Sequence, residues 1–165
     1  MINPLPIADL LAALSHFHAI VTGLLADPSI PWSASTNPGE WSMTEVACHL
    51  RDVEREVHQP RLLAVLKEDD AFLAGVDADA WAETRQYHRQ NGQAALHDFL
   101  EARRQTIDLL STLTDEAWAR QGQHTFFGPT TLHELVNLAV QHDRVHTRQI
   151  ENLTGKIDAN SATSE

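Results

Sequence analysis

Apolar residues recur at three- and four-residue intervals along most of the chain, and this spacing predicts four long amphipathic helices. The first spans 4–26, opened by Asn3-Pro4 and carrying Leu5, Leu11, Leu14, His18, Val21 and Leu25 on its inner stripe. The second spans 42–68. Ser42-Met43-Thr44-Glu45 has the capping-box pattern, with Trp41 and Val46 at the two staple positions. Val46, His49, Leu50, Val53, Val57, Leu62, Leu63 and Leu66 mark its buried face, and Pro60 predicts a kink or break near 58–60. The third spans 92–113, with Leu96, Phe99, Leu100, Ile107, Leu110 and Leu113 inward. The fourth spans 131–153, opened by a second capping box, Thr131 to Glu134, and stopped by Gly155.

The segments between are loops. Residues 31–41 are rich in Pro, Ser, Asn and Gly, 114–118 read as one capped turn, and 120–130 hold two glycines and a proline. Residues 69–90 form a long connection with short turns at 71–74 and 80–81. With no strand-period alternation of useful length, the class is all-α. The architecture is a four-helix bundle with a long crossover between helices 2 and 3. One domain covers 1–157, and the polar stretch 158–165 is expected to be a disordered tail.

Composition narrows the function classes. Hydrophobic residues make up 42% of 165, enough for one core. No apolar run approaches the roughly 20 residues of a membrane span, and the start lacks a signal-peptide pattern. One cysteine, Cys48, excludes an internal disulfide, so a cytoplasmic protein without membrane contact is expected. A formal charge of −11 repels phosphate backbones and argues against nucleic acid as a partner.

Ten histidines are many for this length, and their positions carry the chemistry. His142 and His146 lie four apart on the last helix, offset by roughly 40° and stacked about 6 Å along the axis. Leu135, Leu138, Ala139 and Ile150 share their face, so two imidazoles point where leucines would. His49 is mid-helix on the face of Val46 and Val53, so it too points inward. Three such histidines can bind a divalent metal and leave a position open for water or substrate. The alternative is a set of core histidines hydrogen-bonded to backbone or carboxylates. On pattern alone the two stand level, because burying unpaired imidazoles is costly.

The flanking residues are less decisive. Gln149, three after His146, is placed either in the pocket or at a polar helix end. Asp52 either orients His49 or pairs at the surface with Arg51 or Arg55, and Glu56, seven after His49, is a further inward candidate. Asp143 is about 100° off the ligand face and reads as a surface or interface residue. His124, Phe126 and Phe127 either roof the pocket or pack within their loop. Cys48 reads as a buried structural thiol. His16, His18, His58, His88, His97 and His133 are assigned to surface or packing.

Three stretches carry a resemblance: Gly39-Glu-Trp-Ser-Met-Thr-Glu-Val-Ala-Cys-His49-Leu-Arg-Asp52-Val-Glu54, then Gly128-Pro-Thr-Thr-Leu-His-Glu134-Leu, then His142-Asp-Arg-Val-His146-Thr-Arg-Gln149-Ile. In order and spacing the chain resembles the DinB/YfiT-like superfamily of four-helix-bundle metalloproteins, over nearly its whole length. The resemblance implies up-down-down-up connectivity and a metal triad of His49, His142 and His146. It also implies a homodimer; the histidine ligands themselves suit zinc or nickel, with iron or manganese as further candidates. Relatives include transferases that use bacillithiol or mycothiol and a mycothiol-dependent maleylpyruvate isomerase. The function so implied is a small-molecule thiol S-transferase, in which the metal lowers the pKa of a thiol. A metal-dependent hydrolase and a non-catalytic metal- or ligand-binding dimer remain as alternatives. In the related sulfoxide synthases the motif continues to H-x-x-x-H-x-E; here that position is Arg148, which disfavours iron–oxygen chemistry.

Overall fold

The computed structural model describes residues 5–155. Asn3-Pro4 and the expected tail 158–165 lie outside them. Helix α1 spans Ile7–Ala26 with Pro6 at its N-cap, later than predicted. Its buried residues are Leu10, Leu14, Phe17, Val21 and Leu24. The stripe is thus turned from the expected one, with only Leu14 and Val21 in common. The helix is apolar on nearly every side, so periodicity alone does not define its inner face. Its 20 residues are long and apolar enough to cross a membrane, contrary to the sequence expectation. In the fold its apolar stripe packs against the other long helices, as a core helix does.

Helix α2 spans Met43–Val53 and begins at the predicted capping box: Ser42 N–H donates to Glu45 Oε2 at 2.8 Å. The kink expected near Pro60 takes the form of a π-helical turn, Glu54–His58, which leads without a break into α3, Gln59–Lys67. Proline has no N–H and its ring crowds the preceding turn, so the ladder widens. Gln59 N–H accordingly reaches back to Glu54 O. The connection between α3 and the next long helix holds strand β1 (Ala71–Leu73), helix α4 (Trp81–Thr84) and a 3₁₀ turn at Tyr87–Arg89. Then come α5 (Gly92–Leu110), α6 (Asp115–Trp118), strands β2 (Gln121–His124) and β3 (Gly128–Thr131), and α7 (Leu132–Thr154). Helix α7 carries the predicted capping box and ends at Gly155, whose φ of 66° suits glycine.

The strands correct the expectation of loops only. They form a sheet in the order β1-β2-β3, with β1 parallel to β2 and β2 antiparallel to β3. Strands this short show no alternation, and β1 pairs with a segment far along the chain. Gly122 permits the pairing, since a Cβ there would lie 2.7 Å from Ala71 O.

Helices α1, α2, α5 and α7 pack around two apolar clusters. Between the clusters lies a polar group. Arg103 of α5 donates to Asp143 of α7 at 2.5 and 3.1 Å and to Glu54 of the π turn at 3.0 Å, and Thr106 donates to Glu54. Arg103 also lies over the rings of Phe99 and Phe17, at 4.9 and 5.9 Å. Asp143, read from sequence as a surface residue, is therefore buried. It does sit off the ligand face, but that side of α7 points into the core, where the long Arg103 side chain of α5 reaches it.

Two carboxylates share one guanidinium. Burial pushes Asp143 up to about 6, against the opposing pull of Arg103. For Glu54, burial acts upward, but Arg103 and His58 hold it below the usual carboxylate range.

Arg103→Met should cost about 3–5 kcal/mol, because it leaves two carboxylates buried without a cation. Melting should fall by about 6–20 °C in calorimetry, and an unchanged transition would contradict the network's role. The pH dependence is separate. With its folded pKa raised from the ordinary 3.8 to about 6, Asp143 contributes stability that is full below the lower value and lost as pH rises through the higher. Paired melts of wild type and Asp143→Asn should therefore diverge in the wild type's favour between pH 7.5 and pH 5. A pH-independent difference would mean that Arg103 keeps Asp143 fully ionised.

Candidate metal centre

His49 is fixed by the start of α2, which the capping box sets seven residues earlier. His142 and His146 are one turn apart on α7. The fold brings all three together: Nε2 of His142 is 3.1 Å from Nε2 of His49 and 3.1 Å from Nε2 of His146. One donor nitrogen from each lies within 4.8 Å of the others. Metal–nitrogen bonds of about 2.0–2.1 Å put neighbouring ligand nitrogens roughly 3–3.5 Å apart in tetrahedral geometry.

All three rings are held neutral. Burial, then His146, lowers His49 to about 4; the Ala78 backbone and Asp52 pull weakly the other way. Burial, then the neighbouring histidines, depresses His142, and burial lowers His146. Gln149 belongs to the pocket. Its Oε1 accepts from His146 Nδ1 at 2.8 Å, which leaves Nε2 of that ring with a lone pair. Nδ1 of His142 is buried with no hydrogen-bond partner among the described residues. A hydrogen bond between two Nε2 atoms can use only one proton, so three converging nitrogens cannot satisfy one another. A divalent cation accepting three lone pairs fits this donor set better than hydrogen bonding does.

The centre lies at the floor of a cleft of about 720 Å³, lined among others by Trp41, Glu40, Asp79, Arg148 and Asn152. Trp41, assigned from sequence to a capping staple, lies over two ligand candidates. Its ring is 4.8 Å from that of His49 and stacks at 6.5 Å on His146. Asp79 comes from the connection between β1 and α4. Neither residue is identifiable as a site residue from helical spacing, because both lie outside the four helices.

Other candidates fall elsewhere. Asp52 does not hydrogen-bond His49. It accepts from Arg51, Arg85 and the Tyr87 hydroxyl, each at 2.7 Å, so the predicted Arg51 pairing holds but is buried. Arg55 instead pairs with Asp98. Glu56 is exposed and bound to Arg85 at 2.6 Å, which corrects its inward placement. His124, Phe126 and Phe127 do not line the cleft; Phe127 stacks on His124 at 4.7 Å and Phe126 packs beside Gly75. Cys48 is buried, as expected, with its thiol pushed up to about 11 by burial.

His58 is the residue that helical phase misplaces. In an unbroken α-helix, nine residues put it about 180° from His49. The π turn takes up one extra residue and rotates the downstream side chains back by about a quarter turn. His58 thus meets His142 edge-on, with ring centroids 5.5 Å apart, while Glu56 swings out. Proline at position 60 is the available signal for this shift.

Comparison with known proteins agrees with this fold. Residues 31–150 match the family model of the DinB superfamily. Among solved structures, the fold is similar to that of YfiT from Bacillus subtilis, described as a probable metal-dependent hydrolase with an unusual four-helix bundle topology. The TM-score is 0.77 at 22% identity, covering 91% of this chain and 86% of that one. No curated protein is significantly similar in sequence.

Protein purified without nickel affinity resin should carry close to one divalent ion per chain in elemental analysis. His142→Ala should lose it. Added Zn²⁺ at about 100 times its dissociation constant should stabilise the wild type by about 2.7 kcal/mol and leave the variant unchanged. Absence of metal from both proteins, with equal stability, would exclude the site.

Proposed function

The chain belongs to the DinB superfamily, and on that premise we propose that it is a divalent-metal-dependent enzyme acting on a small molecule, most simply as a thiol S-transferase. The observation that carries this reading is the convergence of three neutral imidazole nitrogens at the floor of an open cleft. His49, His142 and His146 would hold the ion. Bound there, it would act as a Lewis acid and lower the pKa of a water or thiol in the open position.

The chain's own residues set the conditions. Burial keeps the ligand rings unprotonated near neutral pH, so no proton need leave before an ion binds. Gln149 holds His146 in the tautomer that presents Nε2. Trp41 covers one flank of the rings and shields them from water. Cys48, the single cysteine, is buried, and its thiol is held in the protonated form. The protein therefore supplies no sulfur nucleophile of its own, and the nucleophile must enter through the cleft, as a thiol or as water.

The thiol reading rests on the family resemblance, whose transferases use low-molecular-weight thiols. Hydrolysis is the second reading. It is favoured by the likeness to YfiT and by Asp79, a carboxylate on the cleft wall placed to accept a proton from water. Zinc or nickel suits three imidazoles, with iron and manganese as the other candidates. We further propose a cytoplasmic homodimer with the up-down-down-up connectivity of its relatives.

Incubation of the metal-loaded protein with bacillithiol, mycothiol or glutathione and an electrophilic acceptor should yield conjugate by mass spectrometry. The rate should fall at least about 100-fold in His142→Ala. Inactivity with every thiol, together with metal-dependent cleavage of esters or amides, would replace transfer with hydrolysis. No turnover in either assay would leave a binding protein.

A further inference from the structure

Among the three ligand candidates, His146 is oriented by a hydrogen bond to Gln149, whereas Nδ1 of His142 has no partner among the described residues. The ring packed edge-on against His142 is that of His58. Four further buried atoms among the described residues share this unpartnered state: Nδ1 of His49, Nε2 of His124, and the pair that matters here, Nε2 of His58 and Nε of Arg103. Both side chains border the same cavity of about 30 Å³, together with Glu54, Thr106, Leu135 and Ala139. About 10–15 Å³ of such volume admits one water, provided that polar partners are at hand.

Building on the metal reading above, we propose that His58 is a positioning residue for the metal centre, held by a water molecule in this cavity that bridges its Nε2 to Nε of Arg103. One role in the bridge is fixed by chemistry. Arg103 Nε–H can only donate, so the water oxygen accepts from it. In the proposed bridge the water donates one proton to Nε2 of His58, which carries a lone pair, so that His58 is the Nδ1–H tautomer. A buried polar atom without a partner loses its hydration and gains nothing in return, and one water relieves both atoms. The bridge sets the rotation of the His58 ring, and that ring sets the rotation of His142. The ion network of Glu54, Arg103 and Asp143 is thereby coupled to one metal ligand through packing rather than through a direct bond. The π turn makes this geometry available, because it carries His58 round toward α7.

His58→Phe keeps an aromatic ring against His142 but removes the acceptor. His58→Gln restores an acceptor near Nε2. Loaded with Co²⁺, the Phe variant should bind about 10–100-fold more weakly in competition with a chromophoric chelator and show an altered visible spectrum. The Gln variant should regain wild-type affinity to within about 3-fold. Wild-type affinity and spectrum in the Phe variant would overturn the proposal, as would equal losses in both variants. Nitrogen-15 spectra of the histidine rings in metal-free wild type test the bridge independently. An Nδ1–H tautomer with an accepting Nε2 at His58 supports it; an Nε2–H tautomer overturns it, including where the Phe variant fails to fold. A wild type that takes up no Co²⁺ would refute the metal reading, while the nitrogen spectra still decide the bridge.

Discussion

A single buried guanidinium fixes how the helices of this bundle meet. Arg103 reaches every long element: Phe17 on α1, Glu54 on the π turn that continues α2, Phe99 on its own helix and Asp143 on α7. Apolar contacts are tolerant of small rotations and slides, whereas paired N–H···O bonds are directional. Asp143 neighbours His142, so holding its carboxylate fixes the rotation of α7 and thus the direction of both imidazoles on that helix. Glu54 is five residues beyond His49 and performs the same service for α2. The stability of such a network is not its main product, since desolvation offsets most of the attraction. What it supplies here is alignment between the two helices that converge on the centre.

The parts of this arrangement that are legible in the chain are those encoded within one helical turn. Two capping boxes define the starts of α2 and α7, because each is a reciprocal bond between residues three apart. Once those starts are known, the inward directions of His49, His142 and His146 are set by phase. Arg103 leaves a signal of its own. With Thr106 it interrupts the stripe Leu96, Phe99 and Leu110, and two polar residues on a buried stripe imply a partner across the core. Only the packing identifies that partner, and without it Asp143 has the spacing of a surface residue.

Helical phase misleads where the helix itself changes. Pro60 predicts a disturbance, but its form decides which side chains turn inward. A break would have ended the helix. The π turn lets it continue with one residue added, moving Glu56 out to Arg85 and His58 in to His142. The sheet and the cleft wall are hidden for another reason. Ala71–Leu73 pairs with Gln121–His124, and Trp41 and Asp79 meet the histidines, only through contacts between separate segments. No local periodicity records such contacts.

The electrostatics of the centre are set by its donors. The chain is strongly acidic, yet the three converging side chains are neutral and largely buried. A divalent ion held by imidazoles alone keeps its full double charge, whereas each carboxylate ligand would remove one unit. The position where one branch of related proteins places a glutamate is Arg148, and it lies on the cleft lining, where its charge would add to that of a bound ion. Glu40 and Asp79 act against this from the same cleft. With an ion bound, the floor would favour an anionic donor atom. A group that gives up a proton there would be stabilised by such an ion. The lining comes from α2, α7 and the segments that precede α2 and α5, and its alignment depends on Arg103 because Arg103 keeps those helices in register.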